Sequence, residues 1–199
     1  MRTDVITHYD LLIAEENDPF RDPKPLQDYM NLWDGPAFLE AMTLDGSQSV
    51  LEIGVGTGRL AARVLPLCQA FTGVDISPAT VARAKENLAS FPHCRLLCAD
   101  ILSFCPKKTY DVVYSSLTLL HIENKPAFFR KAAALLASGG KLVLSISKDQ
   151  SACLDMGFRQ LPLYPDRPDT TCRFLLDAGF AIERREETEF AHLFICRKM

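Results

Sequence analysis

The sequence predicts an α/β fold: a doubly wound sheet of about seven strands, mostly parallel, closed by a C-terminal antiparallel hairpin. Three observations carry this. Residues 49–147 alternate short β-rich runs with helical patterns. Glycine, proline and capping residues punctuate the alternation. The two final strands, 180–187 and 190–197, are separated by only Thr188 and Glu189, a link too short for a parallel crossover.

The elements follow in order. Residues 49–53 form a β-rich run that ends at glycines, and Leu60, Ala61, Val64 and Leu65 then share a helical face that Pro66 ends or kinks. Residues 70–75 read as the second strand. Ser77 supplies an N-cap and Pro78 a first helical position for a helix to about residue 89. That helix is expected to bury Val81, Ala82, Leu88 and, in part, Ala84, and to leave Arg83, Lys85 and Glu86 wet. The third strand, 94–99, ends at Asp100, and the connection 101–109 is too short for a helix. The fourth strand spans 110–115. Asn124 then caps a helix through Phe128, Phe129, Ala132, Leu135 and Leu136 to a stop at Gly139-Gly140. The fifth strand, 141–147, is apolar enough to be covered on both faces. Residues 148–168, with Pro162, Pro165 and Pro168, read as irregular, and Asp169 as the cap of a last helix to Gly179. Residues 1–45 stand outside the alternation. Their aromatic residues and prolines predict one or two short helices over the ligand end of the sheet.

Composition narrows the function. With 48% hydrophobic and 24% charged residues the chain is an ordinary globular protein. A formal net charge of −3 provides no field to gather nucleic acid, and Lys107-Lys108 and Arg184-Arg185 are too short to make a patch. No apolar run approaches the ~18–20 residues needed to cross a bilayer, and the N-terminus lacks a signal peptide. No nucleic acid or membrane partner is expected, and a cytoplasmic location is. The seven cysteines are odd in number and irregularly spaced. His93, Cys94, Cys98 and Cys105 include no CxxC pair, so no metal is expected, and the cysteines read as small buried apolar side chains.

The chemistry concentrates at strand ends. Gly54-Val55-Gly56-Thr57-Gly58 joins a strand to a helix, where glycines let the backbone turn sharply and approach a ligand. A dinucleotide fingerprint needs glycine at the sixth position of such a turn. Arg59 stands there instead. Asp75, at the end of the second strand, can accept from both hydroxyls of a ribose, in NAD or in another adenosine cofactor. Asp100 closes the third strand.

This turn resembles motif I of class I S-adenosylmethionine-dependent methyltransferases, and the similarity runs through several motifs from about residue 50 to 147. It implies a Rossmann-like fold and S-adenosylmethionine as cofactor. By the resemblance, Gly54, Gly56, Thr57 and Gly58 hold the methionine end, while Asp75 and Ile76 meet the ribose. Asp100 accepts from the adenine amino group, Ile101 lines the ring, and the strand end at Ser115 meets the methionine amino group. Tyr9 resembles an N-terminal tyrosine that covers the sulfonium, and Trp33 is a second aromatic candidate; alternatively both pack a lid. The 199 residues then form one domain: a helical cap (1–45), a cofactor-binding core (46–147) and a substrate-side loop, helix and hairpin (148–199).

The expected reaction is direct in-line methyl transfer, in which the protein's task is positioning. A base is needed only if the acceptor must lose a proton. His121 and Glu123 follow the fourth strand, where a base could stand, and His121 can equally orient the loop. No Asn/Asp-Pro-Pro-aromatic run follows that strand, and Cys105-Pro106 has the wrong order for a cytosine-C5 enzyme. A small-molecule acceptor is therefore expected. The rival readings are an NAD-dependent oxidoreductase, a non-catalytic S-adenosylmethionine-binding protein and an aminopropyl-transfer enzyme.

Overall fold

In the computed structural model, which describes residues 2–199, seven strands form one sheet. They are β1 (Ser49–Ile53), β2 (Ala70–Asp75), β3 (Cys94–Cys98), β4 (Tyr110–Ser116), β5 (Leu136–Ser147), β8 (Phe180–Glu187) and β9 (Ala191–Lys198), and two short strands, β6 (Cys153–Asp155) and β7 (Gln160–Pro162), pair apart from them. The order across the sheet is β3-β2-β1-β4-β5-β9-β8. β1 to β5 are mutually parallel, and β9 runs against both of its neighbours. The chain reverses its winding between β1 and β4, which opens a crevice at the carboxyl ends of those strands.

Among the described residues, seven α-helices accompany the strands: α1 (Val5–Ala14), α2 (Lys24–Met30), α3 (Gly35–Glu40), α4 (Ala61–Val64), α5 (Pro78–Asn87), α6 (Lys125–Leu135) and α7 (Pro168–Asp177). Alternating residues of the central strands serve opposite faces. Val50, Val112 and Val143 pack toward α3, α4 and α5, with Phe38, Val64 and Val81. Leu51, Val113 and Leu144 pack toward α6 and α7, with Phe128, Phe129 and Leu175. Ser77 caps α5 by accepting from Thr80 N at 3.0 Å, and Asn124 caps α6 by accepting from Ala127 N at 3.1 Å, as their side chains suggested.

Several expectations change. The N-terminal region holds three helices, not one or two. Ala82 is exposed, and Arg83 is drawn in by Asp18 at 3.3 Å rather than left wet. α6 ends at Leu135, ahead of the glycines, because buried Leu136 pairs with Tyr110 and begins β5. The register then shifts so that Lys141 meets Val112, and Gly139-Gly140 falls in that irregularity. Arg167 occupies the N-cap position of α7 with no side-chain capping hydrogen bond, while Asp169 lies in its first turn. Residues 148–168 contain the β6–β7 hairpin, to which Thr3 N donates through Gln160 O at 2.9 Å. Its strands are three residues each, too short to show an alternation. The cysteines are free, but Cys98, Cys105 and Cys153 are exposed because they lie on the edge strand, a loop and the hairpin. Among the described residues, no helix is long and apolar enough to cross a membrane, and no three His, Cys, Asp or Glu side chains gather as a metal site.

Candidate active site

A cavity of about 280 Å³ occupies the crevice, bounded by the carboxyl ends of β1, β2, β3 and β4. Its floor is the glycine turn. Gly54 N and Val55 N both donate to Val74 O, at 2.8 and 3.1 Å, which fastens the turn to β2. Gly54 has φ +79°, and a Cβ there would lie 1.9 Å from Thr118 Oγ1, so no other residue fits. Gly54, Gly56 and Thr57 line the cavity. Gly58 does not: at φ +99° it serves packing, since a Cβ there would meet Leu88 Cδ1 at 2.9 Å.

Asp75 faces the same space. Its Oδ2 accepts from Gly56 N and its Oδ1 from Ser77 N, each at 3.0 Å, so two backbone donors fix the carboxylate. Burial nevertheless raises its pKa from the ordinary aspartate value, and the charge of Asp10 adds to this. A carboxyl held in this way has lone pairs left for two neighbouring hydroxyls. Ile76, Asp100 and Ile101 complete this wall. Asp100 is exposed and accepts from Leu102 N at 2.9 Å, and buried Ile101 offers an apolar surface beside it.

The roof comes from the N-terminal region: Val5, Tyr9, Pro19 and Met30 line the cavity. Asp10 fixes α1 over the start of α5, accepting from Ser77 Oγ at 2.6 Å and Ala79 N at 3.1 Å. Tyr9 Oη stands 2.8 Å from His121 Nε2. Burial lowers the His121 pKa to about 4 and pushes the Tyr9 phenol well above its ordinary value. Both groups are therefore neutral at neutral pH and share this one hydrogen bond. Of the two base candidates, His121 lines the cavity and Glu123 is exposed outside it.

Besides Gly58, two more sequence candidates lie outside the cavity. Ser115 is fully buried and donates to Ile53 O at 2.9 Å, tying β4 to β1, because the strand runs one residue further than expected. Ser116, Leu117 and Thr118 line the cavity in its place. Leu117 adopts φ +55°, a backbone conformation that costs about 1–2 kcal/mol for a residue with a Cβ. Trp33 does not line the cavity; it packs on Tyr29 and Phe190 with ring centroids 5.2 and 4.7 Å away.

Sequence reasoning missed three contributors. Arg59 lines the cavity and binds fully buried Asp34 through both carboxylate oxygens, and Asp34 also accepts from Ser116 Oγ at 2.9 Å. This links the cap, the glycine turn and β4. Glu52 lines the cavity from within β1 and accepts from Tyr114 Oη at 2.7 Å; burial raises its pKa well above the ordinary carboxylate value. The third is the Leu117–Thr118 corner. A charged residue inside an apolar strand was the one legible signal, at Glu52.

Comparison with known proteins agrees with this geometry. Residues 51–144 match the methyltransferase-domain family. Malonyl-(acyl-carrier protein) O-methyltransferase 1 of Ilyobacter polytropus is 33% identical over 99 residues, covering 49% of this chain and 37% of that protein. An uncharacterized methyltransferase of Mycobacterium tuberculosis is 37% identical over 109 residues, covering 54% of this chain and 55% of that protein. The match thus spans about half or less of those relatives. In fold, the N-methyltransferase NodS from Bradyrhizobium japonicum, solved with S-adenosyl-L-homocysteine, superposes with a TM-score of 0.74 at 19% identity, covering 98% of this chain and 99% of that one. Strand order, the glycine turn with its facing carboxylates and the match over residues 51–144 are thus all similar to those of S-adenosylmethionine-dependent methyltransferases.

Proposed function

We propose that this protein binds S-adenosylmethionine in the 280 Å³ cavity and transfers its methyl group to a small-molecule acceptor. The observation that carries the reading is Asp75: a carboxylate fixed by two backbone N–H groups on the glycine turn and the next helix, facing the cavity with lone pairs to spare. Gly54, Gly56 and Thr57 present backbone to the methionine end, and Leu117 and Thr118 replace Ser115 as the strand-end contacts. Asp75 and Ile76 take the ribose, Asp100 the adenine amino group and Ile101 the ring face. When bound, the sulfonium supplies an activated methyl and its own leaving group. The protein's residues supply position, which can contribute ~7–11 kcal/mol to the barrier reduction.

Tyr9 covers the transfer centre, and His121 acts by orienting Tyr9, since a ring with a pKa of about 4 is a weak base. Gly58 and Trp33 support the site through packing. The whole chain works as one domain, with residues 1–45 and 148–168 forming the acceptor side, and it acts in the cytoplasm. Calorimetry tests the cofactor: S-adenosylhomocysteine binds and NADH does not, and the reverse would sink the reading. Release of S-adenosylhomocysteine across a panel of small acceptors tests the activity. Binding with no turnover on any of them would favour a non-catalytic cofactor-binding protein.

A further inference from the structure

We propose a second ligand site, at the amino ends of β1, β4 and β5, that takes a phosphate group, either free phosphate or a small phosphomonoester. It lies at the opposite end of the strands from the cofactor cavity and does not rest on the methyltransferase reading. Two features carry it: a buried ammonium without a counter-ion, and a cavity walled by side-chain donors.

Lys141 precedes the apolar run Leu142-Val143-Leu144, and it shares a sheet face with Val143, which packs toward α3. A lysine on that face buries its stem, and the residue is only 8% exposed. Its Nζ donates to Ala41 O, at the end of α3, at 3.1 Å and to Thr43 Oγ1 at 2.6 Å. Both partners are neutral. An ammonium carries three protons, so one is left over, and among the described residues no carboxylate forms an ion pair with it. Burial lowers the pKa of Lys141, and the nearby charge of Arg197 lowers it further. A buried charge is ordinarily paired, because an uncompensated one is costly. Here the partner has to come from outside the chain.

A cavity of about 190 Å³ stands beside it, with Lys141, Thr43, Gln48, Asp111, Ser138 and Arg197 on its wall. Residues 137–140 loop out between the Leu136–Tyr110 and Lys141–Val112 pairings, opposite Asp111 alone. Gly139, at φ +71°, would have nothing within 4 Å of a Cβ, so this bulge leaves open space. Donors predominate on the wall. The Ser138 hydroxyl and the Gln48 amide nitrogen have no hydrogen-bond partner among the described residues. Arg197 gives Nε and Nη2 to Glu183 at 2.7 and 3.3 Å and Nη1 to Gly139 O at 3.1 Å, and a guanidinium has further N–H groups to spare. The lining carboxylate, Asp111, is exposed, and its Oδ2 accepts from Ser49 N and Oγ at 2.8 and 2.7 Å. Solvent screens an exposed charge far more than a buried one. With Glu183 balancing Arg197, the uncompensated charge at this cavity is the Lys141 ammonium. A phosphate group brings negative charge and three strong acceptor oxygens. A water takes about 30 Å³ of the liquid, so the cavity also has room for a short organic arm.

The test uses the full chain in chloride at constant ionic strength. Inorganic phosphate, and in a second series glycerol phosphate, is titrated into it by calorimetry. Phosphate should bind saturably with a dissociation constant below about 1 mM. Lys141→Met should weaken that binding about 10-fold or more. That variant also strips a donor from Ala41 and Thr43, so Ser138→Asp supplies a second arm. It sets a carboxylate on the exposed wall and leaves the bonds of Lys141 in place. Phosphate affinity should fall about 10-fold there too, with the melting temperature within a few degrees of the parent. Tighter binding of glycerol phosphate than of phosphate assigns the site to a phosphomonoester, and equal or weaker binding assigns it to the free ion; both uphold the site. No saturable binding up to about 10 mM phosphate, or an affinity unchanged in Ser138→Asp, would overturn the inference.

Discussion

The glycine turn and the roof above it enclose the same cavity by opposite means. The turn is made of backbone: Gly54 N and Val55 N on Val74 O, and Gly56 N on Asp75, all within a stretch joining adjacent strands. The roof is made of side chains far apart in sequence. Arg159 grips Glu15, Lys125 grips Asp166 at 2.8 Å, Asp10 caps α5, and Tyr9 meets His121. Backbone geometry depends on what a position excludes, so the floor suits one ligand shape and admits few substitutions. Side-chain pairs can be exchanged one at a time. A common floor can therefore sit beneath roofs that admit different acceptors.

The largest effect should come from the roof. Lys125 Nζ lies between Asp166, Leu119 O and Tyr164 O, and both members of the ion pair are largely buried. Lys125→Met strands the Asp166 carboxylate and should cost about 3–5 kcal/mol in urea unfolding. A cost under about 1 kcal/mol would mean that the roof is held by apolar packing instead. For the floor, Gly54→Ala sets a Cβ against Thr118 at a positive φ and should cost about 2–4 kcal/mol, with cofactor affinity lost. Unchanged affinity would show that the turn can shift without harm.

His121 permits a test by pH. Its folded pKa of about 4 lies below the ordinary 6.5, so its neutral form contributes stability that is fully present above pH 6.5 and is lost as pH falls through about 4. The total is about 3 kcal/mol. Unfolding midpoints measured from pH 7 to 4 should therefore fall more steeply in the parent than in His121→Asn; parallel curves would refute the burial assignment. Asp75→Ala has a smaller expected effect, a cofactor affinity about 10- to 100-fold weaker, from the lost hydrogen bonds to an ionised group. Its melting temperature should stay within a few degrees. An unchanged affinity would remove Asp75 from the ribose.

The same contrast explains what the sequence made legible. β1, β2 and β8 fall on their expected residues, and the caps at Ser77 and Asn124 form, because those signals are local. Gly54, Asp75 and Asp100 reach the cavity because strand ends at a winding reversal must converge. The Arg59–Asp34 pair was not legible, since its partners belong to a short helix cap and to the turn, and nothing in either segment names the other. Arg59 entered only as a missing glycine. β4 runs one residue past Ser115, so Ser115 is not the strand end and its side chain faces away from that of Ser116. The β6–β7 hairpin was lost among prolines because its strands owe their pairing to the N-terminal segment and to buried Leu161.

Tyr9→Phe is the smallest of these changes and probes the joint between roof and floor most directly. The ring stays, so the apolar cover over the cavity and the edge contacts to His8 and His121 persist. Only the phenol is lost, and with it the single hydrogen bond that reaches from α1 to His121 Nε2. A buried polar atom left unpaired costs about 1–2 kcal/mol, and that should be the loss in unfolding free energy. If the roof serves the acceptor and the floor holds the cofactor, S-adenosylhomocysteine affinity in Tyr9→Phe should change by less than about 3-fold, under 1 kcal/mol. Turnover should fall further than affinity, because an untethered His121 no longer fixes the geometry above the methyl group. Equal losses in affinity and turnover would mean that Tyr9 belongs to the floor, and that the two regions act as one.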